Sequence, residues 1–323
     1  MKEIGGYFEI EQSYGEMLYS DGIKFNCARA SVLQLVLEND IKRIYMPRYM
    51  CNSISDTLSD NQVEISYYEV GEDFRPIITQ DVKDEYIYLV NYYGQISNDE
   101  LKELKHKYKN IIVDNVQAYF QEPLEDCNTV YSCRKFFGVP DGSIIFHAKD
   151  VKLSACSKRY EAVDSMRHLF GRLEKDASSY YEDYKDNQLK FKTADICGMS
   201  KVSENILRGI DYKLVAERRK ANYDTLYNNL KDINKLKLKH IDGPFSYPLL
   251  VDDAEELRKE LINNRIYIPK LWPNVLAECP STSRSYYLAN NIIPLPCDQR
   301  YEAHDMDVIC DVIFKYYERN RVR

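Results

Sequence analysis

The chain has 323 residues, 44% of them hydrophobic, with 29% charged residues and a formal net charge of −7. That length can bury a substantial core, as one large domain or a large and a small one, and the acidic balance argues against a basic nucleic-acid-binding face. Small molecules or proteins are the expected partners.

The nine cysteines are odd in number and scattered, without a C-x-x-C pair. Neither a disulfide framework nor a zinc site is suggested, and reduced thiols in the cytoplasm are expected. The opening "MKEIGGYFEIEQSYGE" carries charges early and lacks an apolar core, so no signal peptide is expected. No run approaches the length of a membrane span.

In chain order, "CARASVLQLVLEND" (27–40) predicts an amphipathic helix and "KRIYMP" (42–47) a short strand ended by proline. "YMCNSISDTLSDN" reads as helical, "VEISYYEV" (63–70) as a strand, and "EYIYLVNYYG" (85–94) as a strand closed by glycine. "SNDELKELKHKYKN" (97–110) opens with helix-capping residues, and "IIVDNVQAYF" (111–120) begins as a buried strand ending at Asp114. "TVYSCRKFFGVPDGSIIFHA" (129–148) predicts two strands flanking a turn. Strands separated by helical stretches signify an α/β fold with a mostly parallel sheet, in which ligands bind beyond the carboxyl ends of the strands. Pro47, Asn91, Asp114 and the turn from Ser132 to Lys135 are thereby placed around one cleft.

Residues 158–190 read as outer helix and loop, and 199–232 as one long helical stretch. A smaller α+β unit follows, giving a large domain over 1–235 and a C-terminal domain over 236–323.

The chemistry centres on Lys135. A lysine attacks a carbonyl as the free amine, which is scarce at its ordinary pKa of about 10.4, and Arg134, Phe136 and Phe137 are neighbours that would lower that value if they faced it. By itself the segment also suits a lysine whose stem runs along the strand end with its ammonium in water. Ser132 offers a hydroxyl to a phosphate. "NCAR" (26–29) precedes a helix whose free N–H groups favour an anion. Asp114 closes a buried strand, either as half of an ion pair or as partner of a protonated ring nitrogen, and Gln117 lies three residues on. Lysine, aspartate, serine and an anion-holding helix start together describe a pyridoxal phosphate site.

These segments resemble the DegT/DnrJ/StrS family of pyridoxal-phosphate-dependent aminotransferases, over most of the chain. "CARASVLQLVL" is similar to its phosphate loop and first helix, "YMPRYMCNSI" to the segment supplying a ring-stacking aromatic, and "VNYYGQ" to its Val-His-Leu-Tyr-Gly-Gln strand. "DNVQAYF" is similar to its Asp-Ala-Ala-Gln-Ala motif, and "MSKVSENILRGIDYKLVAERRKANYDTLY" to its long interdomain helix with paired arginines. The resemblance implies the fold type I, aspartate-aminotransferase-like architecture. It implies that Lys135 holds the cofactor as an internal aldimine and shuttles the proton, with Asp114 on the pyridine nitrogen and Gln117 near the 3′ oxygen. Ser132, with the backbone around Cys27, Ala28 and Arg29, would hold the phosphate, and Tyr49 or Cys51 would stack on the ring.

The implied function is transfer of an amino group from glutamate or a similar donor to a keto sugar of surface-polysaccharide biosynthesis, by a cytoplasmic homodimer. Two alternatives stand beside it: a dehydratase or lyase using the same cofactor, and a non-catalytic protein on the same scaffold. The chain departs from the family in several places. Ser132 stands three residues before the lysine where sugar aminotransferases have five, "CGMS" replaces an Asn-x-Arg-Met segment, and a substrate loop around 150–195 is expected to be trimmed. The five histidines show no ligand spacing. Trp272 is expected to anchor the small domain or line a pocket, and "PLPCDQRY" (294–301) to form a turn at the cleft mouth or on the surface.

Overall fold

Helix capping, strand alternation and glycine placement together determine where the elements of the computed structural model begin and end; it describes residues 4–82, 84–192 and 195–321. Strand β1 (Ile23–Phe25) leads into helix α1 (Ala28–Glu38), then β2 (Arg43–Pro47), α2 (Ser53–Asp60), β3 (Glu64–Val70), β4 (Pro76–Ile77) and β5 (Tyr86–Val90). Helix α3 (Asn98–Tyr108), β6 (Ile111–Asp114), β7 (Asn128–Ser132) and β8 (Ser143–Phe146) complete the first half. The second half holds α4 (Arg167–Glu174), α5 (Tyr181–Lys190), α6 (Lys201–Arg208), α7 (Tyr212–Leu230), β9 (Tyr247–Leu250), α8 (Ala254–Asn263), α9 (Pro273–Glu278), α10 (Arg284–Asn291), β10 (Ile292–Leu295) and α11 (Ala303–Arg321).

The large sheet has eight strands in the order β1-β8-β7-β6-β5-β2-β3-β4. Neighbours from β7 through β3 are parallel. Strands β8, β1 and β4 pair antiparallel at the margins. Residues 87–90 of β5 and 111–114 of β6 are buried on both faces, as parallel strands covered by helices must be. A two-stranded antiparallel sheet of β9 and β10 forms a second core with α7, α8 and α11. Val275 of α9 and Leu288 of α10 pack instead on the main core. No helix among the described residues is long and apolar enough to cross a membrane.

Two sequence expectations need correction. The stretch 199–232 is two helices. Gly209 closes α6, and Asp211 starts α7 by accepting the Leu214 N–H at 2.9 Å, so the local capping chemistry overrides the shared apolar periodicity. The strand expected over 85–94 stops at Val90, because the Asn91 side chain takes over the turn: its Oδ1 accepts from the Ile96 N–H at 2.9 Å. Tyr93 and Gly94 follow with positive φ. The strand from Ile111 ends at Asp114 as expected, where the carboxylate accepts the Val116 N–H at 2.8 Å in a tight turn. The region around 150–195 holds α4 and α5; its residues 193 and 194, like residues 1–3, lie outside the described residues.

Candidate active site

The topology brings the sequence candidates to one edge of the sheet. Strands β2, β5, β6 and β7 are parallel, so Pro47, Val90, Asp114 and Ser132 all end on the same side. Strand β1 is antiparallel to β8, and β8 to β7. Phe25 therefore pairs with Ser143, and Ser143 with Ser132. The start of α1 thus emerges beside Ser132. Ser31 of α1 ties the two together through its hydroxyl, 3.1 Å from that of Ser143.

Cys27 is the N-cap residue of α1 and supplies no side-chain cap. The N–H groups of Ala28, Arg29 and Ala30 have no hydrogen-bond partner among the described residues; the first helical bond inward is Ser31 N–H to the Cys27 carbonyl at 3.2 Å. A helix start of this kind is an anion site in waiting. It needs a second feature to be read as one, and Ser132 beside it, with Arg29 at the same helix end, supplies that.

The turn after β7 runs through Cys133–Lys135 as a single tight helical turn. Gly142 closes it from the other side: its N–H donates to the Asn26 carbonyl at 2.7 Å and its carbonyl accepts from Cys133 N–H at 3.1 Å. With φ of +128° and room for no Cβ closer than 3.2 Å from both Cys133 and Met199, this position requires glycine. Asp141, buried, caps the start of α6 by accepting from the Ser200 N–H at 2.8 Å and from the hydroxyls of Ser200 and Ser203. Its role as a brace behind the lysine turn carried no signal in the sequence beyond the Asp-Gly pair.

Lys135 itself is exposed. The expectation that Arg134, Phe136 and Phe137 face it is not met. The Arg134 guanidinium lies 4.2 Å over the Phe191 ring, and both phenylalanines are buried in a cluster with Tyr119. Burial holds the Arg134 guanidinium below its ordinary value.

Asp114 is 3% exposed and has no arginine partner among the described residues; its Oδ2 accepts from the Tyr88 hydroxyl at 2.7 Å and its Oδ1 from the Val116 N–H at 2.8 Å. Burial pushes its carboxyl up to about 6, against the lowering effect of those two bonds and of the Lys135 ammonium. That last effect places the two charged groups in one electrostatic neighbourhood. Gln117 is buried, with its Oε1 accepting from the Tyr93 N–H at 2.9 Å, which leaves its amide nitrogen available.

The two candidates for stacking separate. Tyr49 is wholly buried, stacked on Tyr92 at 5.2 Å and against the edge of Trp272 at 4.9 Å, so it belongs to the core. Cys51 is half-buried, its sulfur 3.1 Å from the Ser53 hydroxyl. Trp272 is an anchor of the α9 segment onto the main core. Gln299 of the "PLPCDQRY" stretch reaches inward: its Nε2 donates to the Phe136 carbonyl at 2.8 Å, and its Oε1 accepts from Arg219 Nε at 2.7 Å. Arg219 Nη2 donates to the same carbonyl at 3.2 Å. Sequence reasoning missed this clamp and Tyr88 alike. The paired arginines and the "PLPCDQRY" stretch were the visible hints of the first, and nothing distinguished Tyr88 among 28 tyrosines.

No protein-family model and no curated protein matches the chain. Solved structures do. A DegT DnrJ EryC1 StrS aminotransferase from Brucella abortus is 14% identical with a TM-score of 0.62, over 91% of this chain and 85% of that one. The sugar aminotransferase CalS13 from Micromonospora echinospora is 13% identical with a TM-score of 0.62, over 90% and 86%. NtdA from Bacillus subtilis, solved with bound cofactor PMP, is 13% identical with a TM-score of 0.63, over 91% and 72%. At such identities the likeness is one of architecture, and the chain has the fold type I architecture in which these aminotransferases are built.

Proposed function

We propose that the chain is a pyridoxal-phosphate-dependent aminotransferase that moves an amino group from glutamate or a similar donor to a keto sugar. The observation that carries this reading is a buried carboxylate with no arginine partner among the described residues, Asp114, lying in the field of Lys135 at the sheet edge where the uncapped start of α1 emerges. A buried carboxylate is costly unless something needs it there, and a protonated ring nitrogen is such a partner. The fold shared with the B. abortus enzyme and with NtdA, a structure holding PMP, supports the choice of cofactor. The sugar class rests on CalS13, a sugar aminotransferase, and is the reading's finer part.

The residues present fit the group. Ser132 and the free N–H groups of Ala28 and Arg29 would hold its phosphate, Asp114 would accept from its ring N–H, and the free amide nitrogen of Gln117 would donate to its 3′ oxygen. When bound, pyridoxal phosphate supplies an electron sink for the charge left on the donor carbon. Lys135, on a turn braced by Gly142 and Asp141, would take and return a proton at Nζ. Cys51 replaces the aromatic that would stack on the ring, which points to a looser hold on the group. We propose that the enzyme is a homodimer working in the cytoplasm, and that its product enters surface-polysaccharide synthesis.

The test is an absorbance spectrum of the purified protein with pyridoxal phosphate, before and after glutamate. A visible band that Lys135→Ala abolishes, and that glutamate bleaches in the parent protein, is the expected result. A band that glutamate leaves unchanged would count against transamination with that donor and favour lyase chemistry. No band at all would leave a scaffold without its cofactor.

A further inference from the structure

Tyr88 stands in the middle of β5, on the strand beside β6, and is fully buried. Its hydroxyl donates to Asp114 Oδ2 at 2.7 Å, while the Tyr68 hydroxyl donates to the Tyr88 carbonyl at 2.6 Å and fixes that strand from β3. With Val116 N–H on Oδ1, each carboxylate oxygen of Asp114 has one donor. Two fixed donors set the plane of the carboxylate and leave lone pairs over for a ligand. The ionisable groups acting on Asp114 are few: Tyr88 on β5 and Lys135 on the turn after β7, while Asp114 in turn acts on Tyr68 of β3 and Tyr92 beyond β5. None among the described residues is a second carboxylate. Burial holds the Tyr88 phenol far above its ordinary value, so it is protonated, and a donor, at every working pH.

We propose that Tyr88 is a positioning residue for Asp114: its hydroxyl orients the carboxylate and favours the ionised form, ready to accept a hydrogen bond from a ring N–H. The assignment rests on the reading of the cleft as a pyridoxal phosphate site, although the hydrogen bond exists without the cofactor. A charge-assisted O–H···O⁻ bond opposes the burial of Asp114, and phenylalanine in its place would remove that opposition without changing the ring.

The experiment uses cofactor-free protein with 13C-labelled aspartate side chains, and Asp114→Asn identifies the Asp114 resonance. In the parent protein the carboxyl is expected to titrate near pH 6. In Tyr88→Phe the midpoint should rise by about one pH unit. An unchanged midpoint overturns the proposal. Should the variant fail to fold, 13Cζ-labelled tyrosine in the parent protein gives the answer: the Tyr88 resonance must follow the Asp114 midpoint, and one that ignores it overturns the proposal equally. Adding pyridoxal phosphate separates the two readings. A shifted carboxyl titration without cofactor uptake keeps Tyr88 in its role and removes the proposed function. Cofactor uptake with an unshifted titration does the reverse.

Discussion

Asp114 illustrates a residue kept at a cost. Its folded value of about 6 stands above the ordinary 3.8, so the native chain binds this proton more tightly than the unfolded chain does. The contribution to stability is therefore fully present below pH 3.8 and is lost as the pH rises through 6. That difference is worth about 3 kcal/mol at neutral pH, from which the loss of one hydrogen bond of about 1 kcal/mol is subtracted when asparagine replaces the carboxylate. Urea unfolding of cofactor-free Asp114→Asn should then show a gain of about 2 kcal/mol at pH 8 that vanishes near pH 4. A variant less stable than the parent at pH 8 would contradict the burial cost on which the functional reading stands. The same substitution is expected to abolish transamination, since asparagine cannot keep a ring nitrogen protonated. Lys135, exposed and without a packing role, carries no such cost: Lys135→Ala should leave the unfolding midpoint within about 0.5 kcal/mol of the parent while removing all activity.

Among the elements, the turn bearing Lys135 is held from two directions. Arg219 of α7, buried and stacked 4.5 Å over Phe136, has among the described residues only neutral oxygens as acceptors: Gln299, the carbonyls of Pro244 and Phe245, and that of Phe136. Desolvation accordingly brings its guanidinium down to about 10. Gln299→Ala removes one of the two bonds on the Phe136 carbonyl and the acceptor of Arg219 Nε, at a cost of about 1–3 kcal/mol in urea unfolding. Its kinetic signature should be a fall in kcat with KM little changed, because the lysine is displaced and the substrate contacts are not. A variant with normal kcat would reduce the clamp to a purely structural link. How much of this was legible follows from the range of each interaction. "IIVD" and "YSCRK" declared themselves because a strand end, a buried carboxylate and a lysine beside glycines are local patterns. The break between α6 and α7 was obscured because apolar spacing continues across Gly209, and the capping aspartate that decides it looks like any surface residue. Tyr88 and Gln299 act across 26 and 163 residues of sequence. No window of local pattern contains such pairs.

Across the whole molecule, the first described residues pose a question of cover. Ile4, Tyr7, Phe8 and Tyr14 are 97%, 97%, 95% and 93% exposed, far beyond what scattered surface apolar groups explain. The arm that bears them is nonetheless anchored: Ser13 N–H donates to Asn205 Oδ1 at 2.8 Å, and Asn205 Nδ2 donates to the Glu11 carbonyl at 3.0 Å. Asn205 lies on α6, the helix whose start is capped by Asp141 behind the lysine turn. The arm is thus tied to the helix that Asp141 joins to the lysine turn, and a second copy of the chain that received it would cover these exposed side chains. On this reading sedimentation equilibrium should give twice the mass of the chain, and deletion of residues 1–10 should shift the mass toward the monomer and weaken the lysine-dependent visible band in parallel. If the deleted protein stays dimeric with its band intact, the arm is not the cover and the subunits meet elsewhere. If the parent protein is a monomer that takes up pyridoxal phosphate fully, the site is complete within one chain and the homodimer is wrong.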